Sequence, residues 1–346
     1  MVKRVLQLAT NLFPVWVLIA AALALVRPAW FTWFDRPKIV WGLGVIMLGM
    51  GVTLTVDDFR RALRMPKPVA AGVAAQFLIM PFVGWAVARA MGLPREFALG
   101  LILVACCPGG TASNVVTFLA RAHLPLSVLM TMCSTILAVV MTPYLTKLYA
   151  SAYVAVDAPA LVWTTAKVVL LPVAAGVALH HLAPKLVGAV EDLAPLVSVV
   201  TIALICGSII GSNVAAIRAH GRSLVVSVAL VHGLAFFLGY WFAKLFGFEK
   251  IVRRTVSIEV GMQNSGLGTV LAKTHFANPL TGVCLPAVPC AISATFHSII
   301  GSFLAGFWRL RPVPLSEPTP GSLDRAAPQE PASEPGSAAD SDSPPV

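Results

Sequence analysis

The chain has 346 residues, 58% hydrophobic and only 12% charged, with a mean hydropathy of +0.83 and a formal charge of +10. Soluble domains carry about 25% charged residues, so this composition excludes an ordinary water-soluble enzyme and points to an all-α integral membrane protein. The positive charge lies between apolar runs rather than in one stripe, which suits membrane topology and not a nucleic-acid footprint.

In chain order, ten apolar segments are predicted to span, at about 10–27, 39–56, 68–91, 96–120, 125–149, 160–181, 193–215, 223–246, 251–273 and 281–308. Lys3 and Arg4 ahead of the first resemble a secretory signal, but the spans behind them favour an uncleaved first helix. With the N-terminus inside, fourteen Lys and Arg flank the spans on the cytoplasmic side and nine on the other. This excess places both termini in the cytoplasm. The densest basic loops, 60–67 and 244–254, read as topology signals and anionic-lipid contacts. Residues 313–346 hold six acids, one base and eight prolines, a charge of −5 that leaves +15 on residues 1–312. That tail cannot bury enough apolar surface to fold and is expected to be disordered.

Two segments resemble each other. At a shift of 152 residues, Gly109, Ser113, Thr117, Leu119 and Ala120 of CCPGGTASNVVTFLA match Gly261, Ser265, Thr269, Leu271 and Ala272 of EVGMQNSGLGTVLA. They lie in the fourth and ninth spans, five apart and so oppositely oriented. The pattern predicts two inverted five-helix repeats, 1–152 and 153–312, followed by the tail at 313–346. Pro108, Gly109, Gly110, Gly261, Gly266 and Gly268 are placed to break both helices, freeing backbone groups that must find partners in the membrane.

Glu259 is the sharpest single residue, a carboxylate inside a span with no basic residue near it in that span. Thr111, Ser113, Asn114, Ser127, Thr131, Gln76, Met262, Gln263, Asn264 and Ser265 supply neutral oxygens in the same or neighbouring spans. Such a hard-oxygen set suits sodium and not zinc. Taken alone, Ser127 and Thr131 fit helix contacts at least as well, and Gln76 fits an interhelical hydrogen bond. His232 reads as a packing residue, and His297 is open between packing and the site. The six cysteines read as small buried side chains. No GxSxG or HExxH motif supports hydrolysis.

At these two glycine-broken segments, and at GVIMLGMGVTLTVDDF (45–59) and AQFLIMP (75–81), the chain resembles the bile acid:sodium symporter family over about residues 10–310. Its wording is most similar to bacterial members, some of which resemble pantoate or ketopantoate carriers. The resemblance implies a panel domain of spans one, two, six and seven. A core domain of spans three to five and eight to ten would hold the crossing of the two broken helices. It implies two coupling sodium ions and no other cofactor. The first ion would use Ser113, Asn114, Ser127, Thr131 and Glu259; the second would use Gln76, Glu259, Val260, Met262 and Gln263. Thr111 and Asn264 match positions facing the organic anion, with His297 and Ser298 beside them; the family often has Asn where Ser298 stands. The implied function is sodium-coupled symport of a bile acid-like anion or small carboxylate by alternating access in a bacterial inner membrane. The partners would be the anion, sodium and lipid, with the chain a monomer or an oligomer of unspecified size. A proton-coupled carrier or efflux permease, with Glu259 titrating, is the alternative.

Overall fold

The computed structural model describes residues 6, 9–10, 12–190 and 193–311. The predicted disordered tail at 313–346 and the basic pair Lys3 and Arg4 lie outside the described residues. Among the described residues the regular structure is helical, and six helices are long and apolar enough to cross a bilayer.

Helix α1 (Phe13–Val26) and α2 (Arg36–Val52) both carry a proline as their second residue, whose fixed φ suits a first helical turn and whose missing N–H is not needed there. Between the second and third predicted spans lies a short surface helix, α3 (Val56–Arg64). A capping box starts it: Thr55 Oγ1 accepts from the Asp58 amide at 3.3 Å, and Asp58 Oδ2 accepts from the Thr55 amide at 2.9 Å. Helix α4 (Pro66–Ala90) follows.

The fourth predicted span is two half-helices, α5 (Arg95–Ala105) and α6 (Ala112–Leu119), separated by Cys106–Thr111. Helix α7 (Leu124–Ala150) is continuous. Helix α8 (Ala158–Leu182) contains a π-helical turn at Ala166–Leu170, immediately before Pro172. Proline lacks the amide an α-helix would use there, and the wider turn absorbs the missing bond. After the short α9 (Pro184–Val190) come α10 (Ala194–Ser212) and α11 (Val214–Leu245). Helix α11 starts nine residues before the predicted 223, because the helix runs on through the polar Arg218, His220 and Arg222 where the apolar signal has ended.

The ninth predicted span is also broken, into α12 (Lys250–Gly261) and α13 (Ser265–His275). Helix α14 (Ala287–Arg309) begins six residues after the predicted 281; the preceding stretch is a turn with Gly282 at φ +68°.

The helices pack in two groups. α1, α2, α10 and the second part of α8 lie against one another, while α4, α7, α11, α12 and α14 form the other. In the first group α2 and α8 approach until a Cβ on Gly51 would lie 2.2 Å from the Val173 carbonyl oxygen, and one on Gly176 would lie 2.4 Å from that of Leu48. Small residues let backbones meet this closely, which drives association where lipid is as apolar as the side chains.

Candidate functional site

The two breaks meet. Gly110 donates its amide to the Met262 carbonyl at 3.0 Å, and Asn264 donates to the Pro108 carbonyl at 2.9 Å, which makes a short antiparallel bridge between Gly109 and Gln263. Pro108 has no N–H, and Met262 is extended at φ −117°, ψ 115°, so each break exposes backbone groups that the other accepts. Two half-helices, α5 and α12, end at this crossing, and two, α6 and α13, begin there. The C-terminal ends carry partial negative charge and favour cations; the N-terminal ends favour anions.

Glu259 stands in the last turn of α12, 1% exposed. Its Oε2 accepts from Ser113 Oγ at 2.7 Å and Ser127 Oγ at 3.0 Å, and its Oε1 accepts from Thr131 Oγ1. Ser127 and Thr131 are one turn apart on α7, so both face the carboxylate. Thr117 Oγ1 donates to Ser127 at 3.2 Å. A Cβ on Gly109 would lie 2.3 Å from Glu259 Oε1, so the break brings bare backbone against the acid. Among the described residues Glu259 forms no ion pair.

Gln76, on α4, donates through Nε2 to the Cys107 carbonyl at 3.0 Å and to Gln263 Oε1 at 2.7 Å. Gln263 Nε2 donates to the Val260 carbonyl at 2.9 Å. Carbonyls only accept, so both amide orientations are fixed. That leaves Gln76 Oε1 buried without a donor, and Asn114 Oδ1 is in the same state. A buried oxygen left unpaired costs about 1–3 kcal/mol. A desolvated sodium ion is the kind of partner that removes this penalty, since it is bound by hydroxyl, amide and carboxylate oxygens and displaces no proton.

The residues grouped from sequence are thus brought into two adjoining clusters. One holds Glu259, Ser113, Ser127 and Thr131, with Asn114 next along α6. The other holds Gln76, Gln263 and the Val260 carbonyl, while the Met262 carbonyl takes part in the crossing. Sequence reasoning missed Ser134, whose Oγ accepts the Gly109 amide at 3.3 Å, and Thr142, whose Oγ1 donates to the Cys106 carbonyl at 2.7 Å. Both stand on α7 in a run of hydroxyls that includes Ser127 and Thr131, and that run was the available signal.

A cavity of about 340 Å³ opens beside the crossing, between α6 and the ends of α1, α2 and α10. Thr111 and Asn114 line it; so do Thr10, Thr53, Ser198 and Ser302, which sequence did not single out, and the rest of its wall is apolar. Of the residues expected to face the anion, Asn264 caps α13, accepting from the Leu267 amide at 3.0 Å, with its Nδ2 3.8 Å from Met47 Sδ. His297 and Ser298 are buried on α14 and do not line this cavity. Ser298 donates to the Ala294 carbonyl of its own helix at 2.6 Å, and His297 is 3.3 Å from Ser265, because this part of α14 is turned into the protein.

Comparison with known proteins gives a consistent pattern. Residues 40–220 match the family described as Sodium Bile acid symporter family. A probable chloroplastic sodium/metabolite cotransporter, BASS1, of Arabidopsis thaliana is 49% identical over 308 residues, 89% of this chain and 76% of the relative. A probable chloroplastic sodium/metabolite cotransporter, BASS2, of Oryza sativa is 46% identical over 315 residues, 91% of this chain and 74% of the relative. The uncharacterized sodium-dependent transporter YocS of Bacillus subtilis is 41% identical over 308 residues, 89% of this chain and 94% of the relative.

Proposed function

The chain belongs to the sodium bile acid symporter family, a family of transporters and not of enzymes, and on that premise we propose that it couples sodium entry to uptake of an organic anion. The observation that carries the reading is the ring of oxygens at the crossing. A buried carboxylate has hydroxyl partners only, and two buried amide oxygens, Gln76 Oε1 and Asn114 Oδ1, have no donor.

One sodium ion binds among Glu259, Ser113, Asn114, Ser127 and Thr131. A second binds among Gln76, Glu259, Gln263 and the Val260 and Met262 backbone. The anion enters the adjoining cavity, where Thr111, Asn114 and the start of α6 supply dipoles, and the apolar wall takes the body of a bile acid-like molecule or a small carboxylate. The ten segments act as two inverted five-helix repeats, 1–152 and 153–312, in a bacterial inner membrane with both termini cytoplasmic. α1, α2, α8 and α10 form a panel, against which the remaining core rocks to expose the cavity on either side. Sodium drives transport because it binds better to the ordered crossing, and its binding shifts the population toward that state.

The test is uptake of taurocholate and of pantoate-like acids into proteoliposomes under imposed sodium, potassium or proton gradients. Sodium-driven uptake is expected; uptake that follows pH and ignores sodium would reject this reading for the proton-coupled one. Glu259→Gln is expected to remove sodium-dependent uptake, because the amide brings no charge to offset the ion's desolvation.

A further inference from the structure

Next to the break between α12 and α13 lies a polar cluster that the ion sites do not use. His232 of α11, Ser293 and His297 of α14 and Ser265 at the start of α13 are all buried. His232 Nδ1 is 2.9 Å from the Gly261 carbonyl oxygen, and its Nε2 is 2.7 Å from Ser293 Oγ. Ser293 Oγ is 3.0 Å from Ser265 Oγ, which is 3.3 Å from His297 Nε2. The two imidazole rings meet edge to face with centroids 5.4 Å apart.

The Gly261 carbonyl is an obligate acceptor, so Nδ1 of His232 carries the proton. In the neutral ring Nε2 then accepts from Ser293, Ser293 accepts from Ser265, and Ser265 accepts from His297. One directed chain therefore joins the last carbonyl of α12 to the first residue of α13, the two ends left by the break. The backbone is shaped for it. A Cβ on Gly261 would lie 2.4 Å from Phe236 Cγ, so only glycine lets α11 close on α12, and His232 stands one turn before Phe236 on the same face. The carbonyls around the break then have separate partners. Val260 takes Gln263, Gly261 takes His232, and Met262 takes Gly110 across the crossing. Because Met262 is extended, the Gly261 and Met262 carbonyls point to opposite sides, and fixing one fixes the other.

We propose that His232 is a positioning residue for sodium coupling. By holding the Gly261 carbonyl, and through Ser293 the start of α13, it keeps the backbone between Val260 and Gln263 in the shape that meets the ion. This rests on the sodium-coupled reading above. Removing the donor frees the break to sample other shapes, so ion binding must reorder it, and sodium affinity falls while the organic site, lined by other residues, is left intact.

The experiment measures the sodium concentration for half-maximal uptake, and the anion KM at saturating sodium, in proteoliposomes of wild type, His232→Leu, His232→Asn and Ser293→Ala. His232→Leu is expected to raise sodium half-saturation about tenfold with the anion KM within about twofold. His232→Asn keeps an N–H near the Nδ1 position and is expected to stay within about threefold of wild type, with Ser293→Ala between the two. A role in packing alone would lower the yield and maximal rate of all three variants and leave sodium half-saturation unmoved. Sodium half-saturation unmoved in His232→Leu, or moved as far in His232→Asn as in His232→Leu, overturns the proposal. Wild-type uptake indifferent to sodium overturns the functional reading first and this role with it. Sodium-driven wild-type uptake with unshifted variants overturns this role alone.

Discussion

Glu259 is held by three hydroxyls and pressed by one backbone, and the last of these gives the more discriminating substitution. Gly109→Ala would set a methyl 2.3 Å from Glu259 Oε1, and the carboxylate must leave at least one of its hydroxyl donors to make room. Hydrogen bonds to a charged group contribute about 1.5–3 kcal/mol each, so losing one weakens the ion site by roughly tenfold or more. The expected outcome is a sodium half-saturation raised at least that far, measured by uptake. At this scale the sequence was informative where a side chain was out of place in its surroundings. Glu259, Gln76 and the Ser127 and Thr131 pair stood out because apolar spans rarely carry such groups. The partners of His232, Gln76 and Gln263 include the Gly261, Cys107 and Val260 carbonyls. Every residue has a carbonyl, so nothing in the letters distinguishes these three. His232 reads as packing for that reason, and the rotation that buries His297 and Ser298 is invisible until α14 has neighbours.

Helix lengths and breaks were more legible than side-chain partners. Proline and glycine at 108–110 and at 261 announced both interruptions, and the segments between them appear as helices where apolar runs predicted them. Ends drifted where hydrophobicity and helicity part company, as at Val214, and α3 was read only as a basic loop because nine residues are too few for an apolar period to show. The close approach of α2 and α8 was not legible. Gly51 and Gly176 looked like two glycines among many, yet they set the spacing of α2 and α8. Gly51→Ala forces a methyl against a main-chain oxygen that cannot rotate away. We expect a loss on the order of 1–3 kcal/mol, read as a lower melting temperature in detergent. Gly44→Ala, on the same helix with nothing within 4 Å of the added carbon, should leave it unchanged.

Across the whole transmembrane unit, the cavity and the contact between α8 and α13 lie at different helix ends. The 340 Å³ cavity lies toward the start of α1 and the end of α2. At the end of α13, His275 meets Thr164 of α8 at 2.8 Å. If α8 and α13 must separate there for transport, joining Cys substitutions at Thr164 and His275 with a short bifunctional thiol reagent stops uptake. A reductant-cleavable version of the reagent lets the block be reversed. The native cysteines lie buried apart from the half-buried Cys133, which a Cys133→Ser background removes. Uptake that continues at full rate after complete cross-linking would show that this contact does not open during the cycle. The crossing also sets a schedule for biosynthesis. Ser113 meets Glu259 across 146 residues of chain, and a ribosome adding about 5–20 residues per second needs on the order of ten to thirty seconds to cover that distance. Throughout that interval the first break is already made while the strand that answers Pro108 and Gly110 does not yet exist. The nascent protein therefore holds an open polar seam in or beside the membrane, and the insertion machinery has to shelter it until the ninth segment arrives.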